Sequence, residues 1–427
     1  MRRALLNLML VALLAAAPVA AQEHSHAPST QPARPVPAGQ PEPDPMAMME
    51  QMEPMDHWMT MVHGYAFFTF NRQGGPSGDQ QFESENHFML VSMRRWWGGK
   101  LSLLGTFTLE PATVPPEGYP LLFQRGETND GVLLVDRQHP HDLFVQLAAR
   151  WDRPLSRNIG LGVYLAPVGE PAVGPTAFTH RLSASATPMS PLAHHNQDST
   201  HQSSDVVTVA LGVPKVTFEA SVFHGREPDD VRWDIDQGTP DSYAGRVTVR
   251  PGGGFTLQVS AARRHEPEEL EEGDQTRQTA SVEYFRKTQD GFLAAALLLG
   301  RNLLPEGTEW GNGLEATWKF SGRNHLFGRV ESVNRDLFEL IEKRQRPAGV
   351  GPDPTTVHAG TIGYMRNVPL GIFREGVDTG VGAAVTFYRF ESLLEETYGD
   401  FPVSAQVFLK VGVSAGGGMS HAAPPHH

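Results

Sequence analysis

The stretch K-V-T-F-E-A-S-V-F, residues 215–223, decides the fold class because its side chains alternate in character. The apolar positions are Val216, Phe218, Ala220 and Val222, and the polar positions between them are Thr217, Glu219 and Ser221. Successive side chains of a strand point to opposite faces of the sheet. The stretch therefore predicts a strand with one apolar face and one polar, charged face.

The same alternation recurs in segments of about ten residues throughout the chain, as at 256–261 and 314–320. We count about sixteen predicted strands, with fourteen or eighteen as alternatives. They cover residues 62–71, 86–97, 100–110, 141–152, 157–167, 204–213, 215–225, 242–250, 254–264, 276–287, 291–301, 311–320, 324–334, 356–366, 376–390 and 403–413.

The connections between these strands alternate between short and long. Short ones such as Pro214 and residues 288–290 have turn chemistry. The longest ones cover residues 111–140 and 168–203. Short periplasmic turns and long outer loops are typical of bacterial outer-membrane barrels. We therefore predict an all-β chain whose residues 62–413 form a transmembrane antiparallel up-and-down β-barrel, with outer-membrane lipid as its partner.

Aromatic residues near the predicted strand ends fit the interface girdles of such a barrel. They are Tyr65, Trp96, Trp97, Trp151, Tyr164, Tyr243, Trp310 and Tyr388. Ordinary core aromatics are the alternative interpretation.

The N-terminus is typical of a secretory signal peptide, which we place at residues 1–21. Arg2 and Arg3 precede an apolar run over residues 4–14, and small residues lead to Ala21. The Pro-rich residues 22–45 predict a disordered linker, and residues 414–427 a flexible tail. The expected location is the bacterial outer membrane, with the N-terminal segment in the periplasm.

Composition restricts the chemistry that is available. The chain has no cysteine, 18 histidines, 14 methionines and a formal net charge of −13. A metal site must therefore use histidine, methionine or carboxylate ligands. The acidic balance and the lack of a basic cluster predict no nucleic-acid partner.

A Met/His-rich segment at residues 46–61 precedes the predicted barrel. Four of its methionines have a spacing that predicts one face of a short helix. Thioethers are soft ligands that suit Cu(I), and imidazole suits copper and zinc. An apolar helix face that packs against the barrel is the alternative. The candidate metal ligands are Met48, Met52, Met55, His57, Met59 and His63.

Two long loops contain the second candidate site. The first ends in D-R-Q-H-P-H-D at residues 136–142, and the second contains H-H-N-Q-D-S-T-H at residues 194–201. Imidazoles and carboxylates that converge on one pocket bind a metal such as copper or zinc, or act as acid and base. A buried hydrogen-bonded loop network is the alternative. The candidate metal ligands are His139, His141, Asp142, His180, His194, His195, Asp198 and His201.

Charged residues on the polar face of the strands predict a mixed-charge lumen. Arginine opposite glutamate either shapes an aqueous pore or locks a closed barrel, and the sequence leaves both open. The predicted lumen residues are Arg150, Glu219, Arg246, Glu283, Glu315, Lys319, Arg329 and Glu331. The acidic loop that contains Asp229, Asp234 and Asp236 is expected to be a solvated outer loop, with calcium binding as the alternative.

Several phrases of the chain resemble a family of Gram-negative outer-membrane β-barrel proteins. They are H-G-Y-A-F at residues 63–67, D-R-Q-H-P-H-D-L-F at 136–144, Y-L-A-P-V-G-E-P-A at 164–172, H-H-N-Q-D-S-T-H at 194–201 and G-R-E-P-D at 225–229. The resemblance implies the barrel fold and no particular activity. Separately, residues 24–63 resemble in composition the leader of the outer-membrane copper-resistance B family, which implies copper.

Three functions follow as expectations. The first is transition-metal binding, transport or resistance, with copper or zinc as the ion. The second is a passive porin or solute channel for a small solute. The third is an enzyme with a His/Asp site in the outer loops, for which Ser183, Ser199 or Thr200 is the candidate nucleophile. The sequence does not predict an oligomeric state.

Overall fold

The computed structural model describes residues 55–125, 127–270, 272–347, 350–370 and 376–416. Its main element is an antiparallel sheet of 17 strands, which closes because the first strand pairs with the last from Met61↔Gly416 to Arg72↔Ala405. One short strand, Gln80–Glu83, adds to the outer end of the first strand. The other sixteen form a closed ring, which confirms the predicted fold class.

The sixteen barrel strands are numbered in chain order. They are β1 (Met59–Arg72), β2 (Asn86–Trp96), β3 (Gly99–Phe107), β4 (Phe144–Pro154), β5 (Gly160–Gly169), β6 (Ser203–Val213), β7 (Val216–His224), β8 (Ser242–Gly252), β9 (Phe255–Arg264), β10 (Gln275–Thr288), β11 (Gly291–Leu303), β12 (Thr308–Phe320), β13 (Asn324–Asp336), β14 (Pro354–Asn367), β15 (Val377–Arg389) and β16 (Val403–Gly416).

The remaining elements are short and lie in the long loops. Two small hairpins pair Tyr119–Pro120 with Arg137–Gln138, and Glu127–Asn129 with Val132–Leu134. The α-helices are α1 (Glu110–Thr113), α2 (His194–Gln197), α3 (Leu337–Glu342) and α4 (Glu395–Tyr398), and the 3-10 helices are Leu182–Ala184, Ser199–His201 and Ser392–Leu394. Among the described residues, no helix has the length and apolar character that crossing a membrane requires.

The two ends of the barrel differ from the sequence-based boundaries of 62 and 413. Strand β1 begins at Met59, because Met59 and Met61 already pair with Met93 and Val91 of β2. Residues 59–61 are therefore strand, not the end of a helix at 46–61. Strand β16 extends to Gly416, so residues 414–416 belong to the barrel and not to the tail. The signal peptide at 1–21, the linker at 22–45, most of the Met/His-rich segment and tail residues 417–427 lie outside the described residues.

The outer face of the wall is apolar, as the alternation predicts. Phe218 and Val222 of β7 are 48% and 47% exposed, whereas Ser221 and Phe223 between and beside them are buried. Leu257, Val259, Leu314 and Trp318 repeat this pattern on β9 and β12, with 38% to 55% exposure. A closed barrel with an apolar outer face satisfies its backbone hydrogen bonds internally, which is what a bilayer requires.

The aromatic residues divide between the two faces of the wall, so the predicted girdle is correct only in part. Trp96, Trp97 and Tyr243 are exposed on the outside of the molecule, at 43%, 74% and 60%. Tyr65 instead lines an internal cavity and Tyr388 belongs to a buried core. Nearness to a strand end does not say which way a side chain points, because that depends on whether its position in the strand is odd or even.

Candidate metal centre

Two long loops, residues 108–143 and 170–202, fold into the barrel and are called here the lumen plug. Backbone oxygens of the plug accept hydrogen bonds from long side chains of the wall. Arg277 Nη2 and Asn302 Nδ2 donate to the His195 carbonyl at 2.7 and 3.1 Å, and Arg335 Nη2 donates to the Leu192 carbonyl at 2.6 Å. The plug is therefore attached to β10, β11 and β13 of the wall.

A buried ion-pair network connects the plug to β12 and β13 on the same side of the wall. Arg181 contacts Asp198 through Nη1 at 2.5 Å and Glu315 through Nε at 2.7 Å, and Arg329 Nε donates to the other oxygen of Glu315 at 3.1 Å. The Arg181, Asp198 and Glu315 side chains are at most 2% exposed. Charges in such an environment need partners, and each charge of the network has at least one.

This network places α2 and the following 3-10 helix so that three histidines meet. One ring nitrogen each of His141, His194 and His201 lies within 4.8 Å of the other two. The ring centroids of His141 and His201 are 5.1 Å apart, and those of His194 and His201 are 5.3 Å apart. The first histidine comes from one plug loop and the other two from the second, so the centre exists only when both loops are folded inward.

Each of the three imidazoles has an acceptor at Nδ1. His141 Nδ1 donates to Glu110 Oε2 at 2.9 Å, His194 Nδ1 to Asp198 Oδ1 at 2.7 Å, and His201 Nδ1 to the Asp198 carbonyl at 2.8 Å. Within the described part of the chain, Nε2 of His141 and Nε2 of His201 are buried without a hydrogen-bond partner. Fixing the proton on Nδ1 leaves the lone pair on Nε2 for a ligand, which is how metal-binding histidines are commonly held.

The pKa values of the three rings are shifted in different directions. Burial lowers the pKa of His201 well below its usual value, and it lowers the pKa of His194 although Asp198 opposes the shift. Burial also acts on His141, but the Glu110 carboxylate outweighs it and the pKa of His141 is raised. At neutral pH the two rings with lowered pKa values are thus neutral and ready to act as ligands, whereas His141 holds a proton to higher pH than an ordinary histidine and a metal competes with that proton.

The other predicted ligands lie around this centre and not in it. His139 and His195 form a neighbouring ring pair at 5.8 Å. Asp142 contacts Arg232 at 3.3 Å, and Asp198 supports His194 from behind. His180 packs instead against His87, with ring centroids 4.7 Å apart.

A cavity of about 350 Å³ lies beside the three histidines, and two of them, His141 and His201, form part of its wall. The cavity extends to Phe285, Phe292 and Ser414, near the short turns of the barrel. Its titratable lining residues are His63, Tyr65, Glu85, His87, Glu110, Tyr119, His141, His180, Arg181, His201 and Lys410. The cavity therefore extends from the three histidines toward the end of the barrel that carries the short turns.

The predicted ligands of the N-terminal metal site lie only partly among the described residues. Met48 and Met52 lie outside the described residues. Met55 and His57 are exposed. Met59 and His63 are on β1, where His63 lines the cavity and its Nδ1 is 3.1 Å from Ser414 Oγ.

Except for Lys319, the predicted lumen charges lie beside an oppositely charged side chain or the plug. Arg246 contacts Glu219 at 2.8 Å and Glu170 of the plug at 3.2 Å, and Arg150 contacts Asp152 at 3.0 Å. Glu331 accepts from the Ala193 amide at 3.3 Å. Glu283 lies close to Arg181, and Lys319 to Lys410. Glu315 and Arg329 belong to the network described above.

The candidate nucleophiles do not contact the histidine rings. Ser183 Oγ donates to Glu315 at 2.8 Å, and Ser199 Oγ accepts from Arg277 at 2.8 Å. Thr200 Oγ1 is buried and has no partner in the described part of the chain. In the outer loop, Asp229, Asp234 and Asp236 lie within 4.8 Å of one another, with two of the three side chains exposed. Exposed acidic groups of this kind fit the expected solvated loop.

Sequence reasoning missed Glu110 and His87. Glu110 lies three residues after the end of β3, and its role depends on how the far end of the same loop brings His141 back to it. His87 sits opposite Tyr65 in the β1–β2 pair, so its inward direction follows once that register is known. The alternation within 86–96 was the signal available for His87, and Glu110 had none.

The chain matches no protein-family model and no curated protein. Several solved structures have a similar fold. An anion-selective porin from Comamonas acidovorans has a TM-score of 0.49 at 10% identity, over 83% of this chain and 99% of that one. OprB from Pseudomonas putida has a TM-score of 0.49 at 10% identity, over 87% and 96%. A BenF-like porin from Pseudomonas fluorescens has a TM-score of 0.41 at 8% identity, over 85% and 100%.

The closed ring, its apolar outer face and the alternation of short turns with long loops identify a bacterial outer-membrane barrel. Both termini of the ring lie at the end with the short turns, which is the periplasmic end in such barrels. The resemblance to the copper-resistance B family remains an expectation from composition.

Proposed function

We propose that the protein is an outer-membrane barrel that binds one transition-metal ion, copper or zinc, at His141, His194 and His201. The observation that carries the proposal is the convergence of three ring nitrogens within 4.8 Å at a buried point. Three imidazoles are a common set of protein ligands for zinc and also suit copper. The fourth position would face the cavity lined by His141 and His201, as in sites that exchange a ligand.

The hydrogen bonds of the three rings support a metal site over a purely structural cluster. A hydrogen-bonded structural network would use both nitrogens of each ring, because a buried polar atom without a partner costs about 1–3 kcal/mol. Here the Nδ1 atoms are occupied and the Nε2 atoms of His141 and His201 are left over. A bound cation would satisfy these nitrogens.

The test is metal titration of the full-length barrel refolded in detergent. Co(II) serves as a probe, because its visible absorption reports tetrahedral coordination, and Zn(II) and Cu(I) compete with it. We expect one equivalent to bind, and we expect His194→Ala together with His201→Ala to abolish that binding. His265→Ala is the matched control, since His265 lies on an outer loop with 51% of its side chain exposed.

Circular dichroism and the heat-dependent gel mobility of the variants establish that the barrel is folded. Equal binding by the wild type and the folded double variant would reject the site. A variant lacking residues 22–54 distinguishes the predicted Met/His-rich segment from this centre. If Met48 or Met52 bound a second equivalent of Cu(I), the variant would lose that equivalent and keep the ion at the three histidines.

A solute channel is the second candidate function. Sixteen strands enclose enough space for an aqueous lumen, and the porins named above share this architecture. The charged pair Arg246–Glu219 on the inner wall is of the kind that lines aqueous pores. Planar-bilayer conductance is the direct measurement: steady open-channel current from the wild type would favour a channel, and its absence would leave the metal centre as the function.

A further inference from the structure

Strands β1 and β2 carry a double row of metal-ligand side chains on the inner side of the wall. Four cross-strand pairs follow one another from the periplasmic end: Met59↔Met93, Met61↔Val91, His63↔Met89 and Tyr65↔His87. Because alternate residues of a strand share a face, all eight side chains point to the lumen, where His63, Tyr65 and His87 line the cavity. Every pair contains a thioether or an imidazole, and we call this double row the ligand ladder.

The four methionines of the ladder lie close together. Met61, Met89 and Met93 are at most 4% exposed, and they pack in one cluster with Met59. The apolar inward cluster on β13 to β16 is built instead from Phe327, Ala384 and Phe408 with a single methionine, Met365. Leucine or valine would supply the same apolar volume, so the choice of four methionines in one cluster adds polarisable sulfur at this place.

The ladder leads toward the three-histidine centre. Successive inward positions on a strand are about 6.7 Å apart, so the ladder covers about 20 Å from Met59 to Tyr65 and its partner His87. The His87 ring contacts His180 of the plug at 4.7 Å. His87 Nε2 is buried and lacks a hydrogen-bond partner among the described residues. His87, His180, His141 and His201 all line the same cavity.

The opposite entrance is closed by packing. An apolar core joins plug residues such as Leu122 and Phe123 to Tyr388 of the wall and to Leu394 and Tyr398 of an outer loop, each at most 3% exposed. An ion that reaches the centre from outside the cell would have to cross this core.

We infer that the ligand ladder delivers Cu(I) from the periplasmic end to the three-histidine centre. This inference rests on the proposed function and adds the identity and route of the ion. Thioethers bind Cu(I) and discriminate against zinc, whereas imidazole accepts both. The ion exchanges one thioether or imidazole for the next, keeps its charge throughout and transfers no electron.

The test compares the rates at which Cu(I) and Zn(II) load the folded full-length barrel. Each ion is supplied from a coloured or fluorescent chelator whose signal reports its release. In the variant M59L, M61L, M89L and M93L, which keeps the apolar volume, we expect Cu(I) loading to slow by about tenfold or more, equivalent to a barrier higher by about 1.4 kcal/mol. Zn(II) loading and the final stoichiometry of one ion should stay unchanged.

Met365→Leu is the matched control, because Met365 is also buried at 3% but lies in a different cluster. Unchanged Cu(I) loading in the four-methionine variant would overturn the ladder, as would equal slowing of Cu(I) and Zn(II), which would mean that the methionines only fill space. These outcomes differ from failure of the proposed function, in which the wild type holds no ion at the three histidines at equilibrium.

Discussion

The two halves of the lumen are built differently although one wall surrounds both. The outer half is filled by the lumen plug and its apolar core. The periplasmic half contains the cavity and the ligand ladder. The difference comes from the long loops, which fill the outer half, and from the methionine and histidine side chains of β1 and β2 in the periplasmic half. The outer half is therefore closed by packing, and the cavity lies toward the short turns.

Buried charged and neutral groups are also stabilised in different ways. In the ion-pair network, Arg181, Asp198 and Glu315 neutralise one another at distances of 2.5 and 2.7 Å. Around the cavity, imidazoles with lowered pKa values, such as that of His180 at about 4, stay neutral because burial disfavours their protonation. Neutral imidazoles are metal ligands and paired charges are not. The four predictions below test this division, beginning with the largest expected effect.

Arg181→Ala should have the largest effect because it leaves Asp198 and Glu315 buried with one fewer cationic partner. Removing one partner of a buried ion pair typically costs about 3–5 kcal/mol. Urea unfolding followed by tryptophan fluorescence should show this loss, and planar-bilayer conductance should rise if the plug detaches. An unfolding midpoint equal to that of the wild type would show that the network does not hold the plug.

Glu110→Gln should weaken metal binding without dislodging the plug. The carboxylate accepts from both the backbone amide and Nδ1 of His141 at 2.9 Å, and glutamine keeps its shape without the charge. Loss of such a supporting acceptor typically costs about 10- to 100-fold in metal affinity. Competition titration measures the effect, with Glu342→Gln as the control, because the Glu342 side chain at the end of α3 is 48% exposed. An unchanged affinity would mean that His141 is not a ligand.

The pH dependence of metal binding should follow His141. Its pKa is raised in the folded protein, so a proton occupies the ring up to a higher pH than in an ordinary histidine. Metal must displace this proton, and below the raised pKa the affinity should fall by about tenfold per pH unit. In Glu110→Gln the fall should begin at lower pH, because the charge that raises the pKa of His141 is gone. Titrations between pH 5 and 9, a range chosen around the ordinary histidine value of about 6.5, provide the check.

The wall could be predicted closely from the sequence, and the plug could not. Strand β6 was predicted at 204–213 and lies at Ser203–Val213, because alternation is a local property of the chain. The three histidines of the centre were in the predicted set for a different reason: their two loops carry unusually many histidines. Which of eight candidates converge depends on where each loop passes through the lumen, and no local pattern encodes that path.

The N-terminal methionines show a similar limit. The spacing of Met55 and Met59 predicted a helix face, but Met59 and Met61 belong to β1 because they pair with Met93 and Val91. A spacing of four residues also puts two side chains on the same face of a strand, so the pattern fits both structures. Only the partner strand, about 30 residues later in the chain, distinguishes them.

Arg263→Ala gives the smallest expected effect and shows most directly what burial contributes. Arg263 contacts Asp274 at 2.6 Å, a distance like those around Arg181, but the two side chains are 47% and 29% exposed. Water solvates both charges after the mutation, so the loss should be about 1 kcal/mol or less. The same urea experiment measures it beside Arg181→Ala. If both variants lost equal stability, ion-pair distance and not burial would control the strength of these contacts, and the distinction between the filled outer half and the exposed loops would lose its physical basis.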